Sequence, residues 1–138
     1  MHPVPTAAID TLASIITVLG CNESYLPFYI QFWNDSKVYL STWNGADDIV
    51  SCISLASTLI EVYGEYSGFV VDDVLNSLPQ IVKYDSEYCR ANALYIIGLL
   101  MSVFPSQCES LLQNFAEILK EGLQPLPGDV SGFVGLIG

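Results

Sequence analysis

Apolar residues recur every three or four positions along most of this chain, a spacing that predicts helices and no strands. The strongest pattern runs from Asp85 to Phe104, where two adjoining faces are apolar at once. Ser86 can cap the first turn of this helix, and Pro105 marks its end. A helix with so little polar surface is expected to be covered by neighbouring helices on most sides.

The same pattern divides the chain into seven helices. They are predicted at about residues 6–19, 24–40, 46–63, 69–83, 86–104, 106–121 and 129–137. Residues 1–5 are a short lead without predicted structure, and residues 6–138 form one helical unit. In the first helix, Ile9, Leu12, Ile16 and Leu19 fall on one apolar face. Pro79 predicts a kink in the fourth helix, because the apolar pattern continues beyond it.

A line of polar residues follows the same face of three of these helices. In the third helix it steps by three or four positions from Asp47 to Glu65. Adding 41 to these positions gives a matching polar line on the helix 86–104, where Leu99 is the one apolar exception. Subtracting 44 gives a matching polar line on the first helix. The members of this polar row are Asp10, Ser14 and Thr17, then Asp47, Ser51, Ser54, Thr58, Glu61 and Glu65, then Tyr88, Asn92, Tyr95 and Ser102.

Helices of a second kind lie between those that carry the polar row. Leu75, Leu78 and Ile81 match Leu112, Phe115 and Ile118 at an offset of 37 positions. Two alternating kinds of helix with a period near 40 are typical of a HEAT or armadillo-type solenoid, in which each helix pair stacks on the next. The sequence therefore predicts an all-α superhelix of about three helix pairs plus a partial terminal helix. A compact helical bundle is the alternative, but nothing in a bundle requires the matched offsets.

The composition agrees with a stacked structure and limits the class of partner. Of 138 residues, 51% are hydrophobic and only 14% are charged, which suggests that apolar surface is meant for adjoining protein. The apolar runs are too short to span a bilayer, and no signal-peptide pattern opens the chain. The net charge of −11 disfavours nucleic acid and anionic membrane and favours basic protein partners.

Few residues suit catalysis or metal binding, and neither an enzyme nor a cofactor is predicted. The only histidine, His2, lies in the lead, so a histidine-activated nucleophile has no rigid framework. The adjacent acids Asp47-Asp48 and Asp72-Asp73 lie near helix starts, where they favour the helix dipole. No Cys/His spacing suits zinc. The four cysteines, Cys21, Cys52, Cys89 and Cys108, are expected to be buried reduced thiols of an intracellular protein.

One segment resembles a known family. The run D-S-E-Y-C-R-A-N-A-L-Y-I-I-G-L-L, residues 85–100, resembles the second helix of a HEAT repeat in importin-β-type (karyopherin) nuclear transport receptors. In that helix an acidic turn leads into an Arg, an Asn-Ala pair and a Gly-containing apolar run. Residues 46–64 are similar to the same helix one repeat earlier. Other HEAT scaffolds, such as phosphatase scaffold subunits, coat adaptors and condensin subunits, contain related runs.

The resemblance implies the C-terminal half of a receptor that shuttles between cytoplasm and nucleus. Such a receptor carries basic cargo, of the ribosomal-protein or histone kind, along the inner surface of its superhelix. It binds nucleoporin Phe-Gly repeats between outer helices and Ran-GTP through N-terminal repeats that this chain does not contain. On this interpretation the polar row is an acidic concave wall that holds cargo. The alternatives are that the row is only a solvated face, and that the chain is an architectural HEAT scaffold in another assembly.

Overall fold

All the regular structure in the described part of the chain is helical. The computed structural model describes residues 4–41 and 44–109, together with positions 116, 117 and 120. Its α-helices are α1 (Thr6–Leu19), α2 (Leu26–Ser36), α3 (Ala46–Tyr63), α4 (Val71–Ile81), α5 (Glu87–Val103) and α6 (Pro105–Glu109). Short 3₁₀ segments at Glu23–Tyr25, Lys37–Leu40 and Gly64–Val70 flank α2 and lead into α4. The prediction of an all-α fold is confirmed.

The predicted helices agree closely with the observed ones. α1 and α3 have the predicted bounds, and α5 is one residue shorter at each end. α4 begins two residues later than predicted, because a 3₁₀ segment takes up Gly64–Val70, and Pro79 lies inside it as expected. The predicted helix at 129–137, and positions 110–115, 118, 119 and 121 of the one at 106–121, lie outside the described residues.

The helix ends show why these boundaries hold. Gly20 and Gly64 follow α1 and α3 with φ angles of 72° and 55°, which glycine adopts without steric cost. Their N–H groups donate to the carbonyls of Ile16 and Ile60, so two helices 44 residues apart end in the same way. At the start of α5, the Ser86 hydroxyl accepts the N–H of Cys89 at 3.3 Å, which confirms the predicted cap.

The core is built around α3, the helix that packs against both α1 and α5. α3 buries ten of its eighteen residues, whereas α1 buries only three of fourteen, Ile9, Leu12 and Ile16. The buried residues of α3 are Ile49, Val50, Cys52, Ile53, Leu55, Ala56, Ser57, Leu59, Ile60 and Tyr63. α3 is therefore covered on nearly every side except that of the polar row.

Three hydrogen bonds between elements join residues about 40 positions apart. The indole nitrogen of Trp33 donates to Asp73 Oδ2 at 2.9 Å, over a separation of 40 residues. The hydroxyl of Tyr84 donates to the carbonyl of Asn44, also 40 residues away, at 3.1 Å. The hydroxyl of Tyr63 donates to the carbonyl of Asn22 at 3.0 Å over 41 residues. Each of these three bonds therefore joins residues about one sequence period apart.

The four cysteines are free thiols. Cys52, Cys89 and Cys108 are buried as predicted, and burial raises the pKa of all three thiols. The prediction was wrong for Cys21, which is exposed because it follows Gly20 in the turn after α1.

Candidate protein-binding surface

Every member of the polar row is accessible to solvent. Nine members are exposed: Asp10, Ser14, Thr17, Asp47, Glu61, Glu65, Tyr88, Tyr95 and Ser102. The other four, Ser51, Ser54, Thr58 and Asn92, are half-buried. The row therefore marks the solvent side of α1, α3 and α5, with Glu65 just beyond the end of α3.

One contact connects the row directly from α3 to α5. The hydroxyl of Tyr95 donates to Glu61 Oε1 at 2.6 Å, and this hydrogen bond to a carboxylate raises the pKa of Tyr95. Both residues are exposed, and 55% of Tyr95 is open to solvent. The structure thus brings together side chains that lie 34 positions apart in the sequence.

Other members of the row bond within their own helices. The hydroxyl of Ser14 donates to the carbonyl of Asp10 at 3.2 Å, and the hydroxyl of Thr17 donates to Ala13 at 2.9 Å. The amide nitrogen of Asn92 donates to the carbonyl of Tyr88 at 2.9 Å. In these bonds the row side chains act as hydrogen-bond donors. A hydroxyl oxygen that donates its hydrogen still has lone pairs and can accept a hydrogen bond from a partner. The row consequently offers acceptor atoms to a partner that brings donors.

The charge of the row has one sign. Its carboxylates are Asp10, Asp47, Glu61 and Glu65, and none of its members is basic. The basic residues of the whole chain are Lys37, Lys83, Arg90 and Lys120, all at other positions. Lys37 pairs with Asp73 at 3.5 Å, and Arg90 is buried with 4% exposure. A basic partner would therefore meet acidic and no basic side chains among the members of the row.

A polar groove between α2 and α4 was not found by sequence reasoning. It has a volume of about 450 Å³, and Asn34, Asn76 and Gln80 contribute carboxamides to its lining. Asp73 organises one wall, because it accepts hydrogen bonds from Trp33 and from Lys37. Its residues come from the end of α2, the 3₁₀ segment Lys37–Leu40 with Ser41, and α4. The sequence shows no shared register between these segments, so no periodic signal pointed to the groove.

An exposed apolar face on α1 was likewise missed. Ile15, Val18 and Leu19 have exposures of 44%, 84% and 56%. The sequence pattern placed Leu19 on one apolar face with Ile9, Leu12 and Ile16, but only those three residues are buried. Spacing alone placed Leu19 at the edge of the apolar face, but no described neighbour covers the last turn of α1 on that side.

The described residues show neither a metal site nor a membrane span. No three of their His, Cys, Asp and Glu side chains come close enough together to hold a metal ion. Among the described helices, none combines the length and the apolar character needed to cross a bilayer.

Comparisons with protein-family models, with curated proteins and with solved structures found no match to this chain. The similarity of residues 85–100 to importin-β-type HEAT repeats therefore rests on the sequence motif.

Proposed function

We propose that this chain is a segment of a HEAT-type α-solenoid that binds a basic protein along the polar row. The observation that carries the proposal is the placement of charge: the four carboxylates of the solvent-exposed row lie on α1, on α3 and just beyond the end of α3, and no member of the row is basic. A partner rich in Lys and Arg complements such a row.

The contacts between helices support the solenoid. In a stack of helix pairs, each unit packs mainly on the next, so tertiary contacts cluster at a separation of one repeat. The bonds Trp33–Asp73, Tyr63–Asn22 and Tyr84–Asn44 span 40, 41 and 40 residues, which is the period of the sequence pattern. The central helix α3 also packs on α1 and α5, the helices one period before and after it.

The small free energy of each exposed ion pair favours binding over a long contact surface and not at a single strong site. An exposed ion pair contributes only about 0.2–1 kcal/mol and is weakened by salt. A basic partner must therefore engage several row members at once, and its affinity should fall as ionic strength rises. The chain's net charge of −11 would also attract a basic partner over a distance and so raise the association rate.

A more specific proposal follows from the family resemblance. The chain would belong to a nuclear import receptor of the cytoplasm and nucleus, with a ribosomal-protein or histone-like cargo on the polar row. Nucleoporin Phe-Gly motifs would bind on the opposite side, between helices of the α2 and α4 kind. The support for this step is the motif at residues 85–100 and the acidic row beside it.

A charge-reversal experiment tests the binding surface. The double variant Asp47→Lys/Glu61→Lys is compared with Asp72→Lys/Asp85→Lys, which makes the same change in net charge at exposed positions outside the row. The measured quantity is the Kd for a purified core histone at fixed salt. We expect at least tenfold weaker binding for the row variant and less than threefold for the control. Equal losses would show that only net charge matters and would refute the proposal.

An architectural HEAT scaffold is the second candidate, and the exposed apolar face of α1 favours it. A protein built into a stable assembly needs permanent apolar contacts, and Val18 is 84% exposed in the isolated chain. Binding of a Phe-Gly nucleoporin peptide would favour the receptor. Stable copurification with an enzyme or coat complex would favour the scaffold.

A further inference from the structure

The polar row changes in character where it reaches α5. On α1 and α3 its members are carboxylates and small hydroxyl side chains, whereas on α5 two of its four members are tyrosines. Tyr88 and Tyr95 have exposures of 62% and 55%, although a tyrosine ring is largely apolar. A partner that binds along the row therefore meets two exposed aromatic rings as well as carboxylates.

Tyr95 is held against one of these carboxylates. Its hydroxyl donates to Glu61 Oε1 at 2.6 Å, so the ring is tied to α3 as well as to α5. In the described part of the chain, the second oxygen of Glu61, Oε2, accepts no hydrogen bond. The phenolic oxygen of Tyr95 also keeps lone pairs after it has donated its hydrogen. The pair thus combines an exposed ring with acceptor atoms at the hydroxyl edge of that ring.

Asn92 adds an acceptor between the two rings. It lies four positions after Tyr88 and three before Tyr95, a spacing that puts all three residues on one face of α5. Its amide nitrogen donates to the carbonyl of Tyr88 at 2.9 Å, while its oxygen Oδ1 remains an acceptor. We call Glu61, Tyr88, Asn92 and Tyr95 the tyrosine patch.

This combination of ring and acceptors suits a guanidinium better than an ammonium. A guanidinium is planar, so it can lie over a tyrosine ring while the N–H groups at its edge donate to acceptors beside that ring. Glu61 lies at the hydroxyl edge of Tyr95, where such a donor can reach it. A lysine ammonium is a compact, strongly hydrated charge and has no plane to stack.

We propose that the tyrosine patch selects arginine over lysine in the basic partner, with a guanidinium stacked on Tyr95 and bonded to Glu61. This inference rests on the proposed function, because it names which basic side chain the polar row binds. Four carboxylates alone would accept either residue, whereas the rings favour the planar cation.

The separation of the two rings limits the partner further. Tyr88 and Tyr95 are seven positions apart, which is about 10.5 Å along the helix axis. In a polyproline II segment, side chains one turn of three residues apart lie on the same side and about 9.3 Å from each other. The thiol of Cys89 donates to the carbonyl of Ala46 at 3.5 Å, so Asp47 supplies a carboxylate of the row at the Tyr88 end. An extended partner with arginine at every third position can therefore place one guanidinium on each ring.

Two fluorescent peptides of equal length serve as probes, one with arginine and one with lysine at every third position, separated by Gly-Ser. Anisotropy titration with the full chain gives the Kd of each peptide, and the ratio of the two Kd values measures the selectivity. We expect the arginine peptide to bind at least about fivefold tighter. Tyr95→Leu should bring the ratio below about twofold, because leucine offers no ring for stacking. Tyr95→Phe keeps the ring and loses the bond to Glu61, so it should retain more of the ratio than Tyr95→Leu.

The matched control is Tyr25→Leu, which removes an exposed tyrosine outside the polar row. It should leave the ratio of the two Kd values unchanged. Far-ultraviolet circular dichroism and thermal unfolding confirm that each variant is folded.

The possible failures separate this inference from the proposed function. Equal Kd values for the two peptides, with binding that Asp47→Lys/Glu61→Lys still weakens, would refute the arginine preference and leave the proposed function intact. A ratio that survives Tyr95→Leu, or that Tyr25→Leu lowers equally, would mean that the selectivity does not arise at the tyrosine patch. No saturable binding of either peptide to the folded chain would refute the proposed function and this inference together.

Discussion

α1 and α3 have the same arrangement of polar and apolar positions, but they are buried to different extents in the structure. Both carry the polar row on one side, both end at a glycine with positive φ, and their apolar positions correspond at a shift of 44. Yet α3 buries ten of eighteen residues and α1 only three of fourteen. The difference lies in their neighbours, since α3 packs against α1, α5 and the α2 region. Burial in this fold thus depends on which helices pack around a given helix as well as on its own sequence.

The sharpest test of this comparison uses one pair of equivalent residues. Leu59→Ala should lower the free energy of unfolding by about 2–5 kcal/mol, because Leu59 is buried and its removal leaves a cavity. The equivalent change Ile15→Ala should lower it by less than about 1 kcal/mol, because Ile15 is half exposed already. Urea denaturation measures both values. Equal losses would mean that α1 is covered as well as α3 is.

A second change breaks the contact between α2 and α4. Asp73→Ala removes the acceptor of the buried Trp33 indole and the partner of Lys37. A buried donor left without its partner costs about 1–3 kcal/mol, so the free energy of unfolding should fall by that amount. The neighbouring exposed Asp72→Ala is the control and should cost below about 1 kcal/mol, mainly from the lost favourable interaction with the helix dipole. A larger loss for Asp72→Ala would contradict the assignment.

A third change tests the bond from the end of α3 to the turn after α1. The Tyr63 hydroxyl donates to the carbonyl of Asn22 and accepts its N–H at 3.2 Å. Tyr63→Phe keeps the ring against Tyr29 but removes both bonds, and it should destabilise the chain by about 0.5–1.5 kcal/mol. Tyr25→Phe, at an exposed tyrosine, should be close to neutral. Thermal unfolding of the two variants makes the comparison.

The smallest expected effect concerns the connection of the polar row to α5. The Glu61 carboxylate stabilises the neutral, hydrogen-donating form of Tyr95 and so raises its pKa. Glu61→Gln removes the negative charge, so the pKa of Tyr95 should fall towards its ordinary value. A nuclear magnetic resonance titration of the Tyr95 ring measures it. Glu23→Gln should instead lower the pKa of Tyr66, which Glu23 raises by a hydrogen bond, and leave Tyr95 unchanged.

The sequence predicts the helices and the exposed row because both depend on local periodicity. Glycines after Leu19 and Tyr63, the cap at Ser86 and the steps from Asp47 to Glu65 are all signals within one helix. The exposure of Leu19 and Cys21 and the groove beside Asp73 depend on which helices meet. The bond between Tyr95 and Glu61 likewise requires knowledge of how α3 and α5 pack.

The central claim is that α1, α3 and α5 lie side by side as successive units of a stack. The distance between spin labels at Asp10→Cys and Tyr95→Cys, in a Cys21→Ser background, tests it most directly. Asp10, Ser54 and Tyr95 are equivalent row positions, and neighbouring helix axes lie about 8–10 Å apart. A stack predicts about 20 Å between the labelled positions, with α3 between them. A distance of about 10 Å would place α1 directly against α5, as in a closed bundle, and would contradict the account.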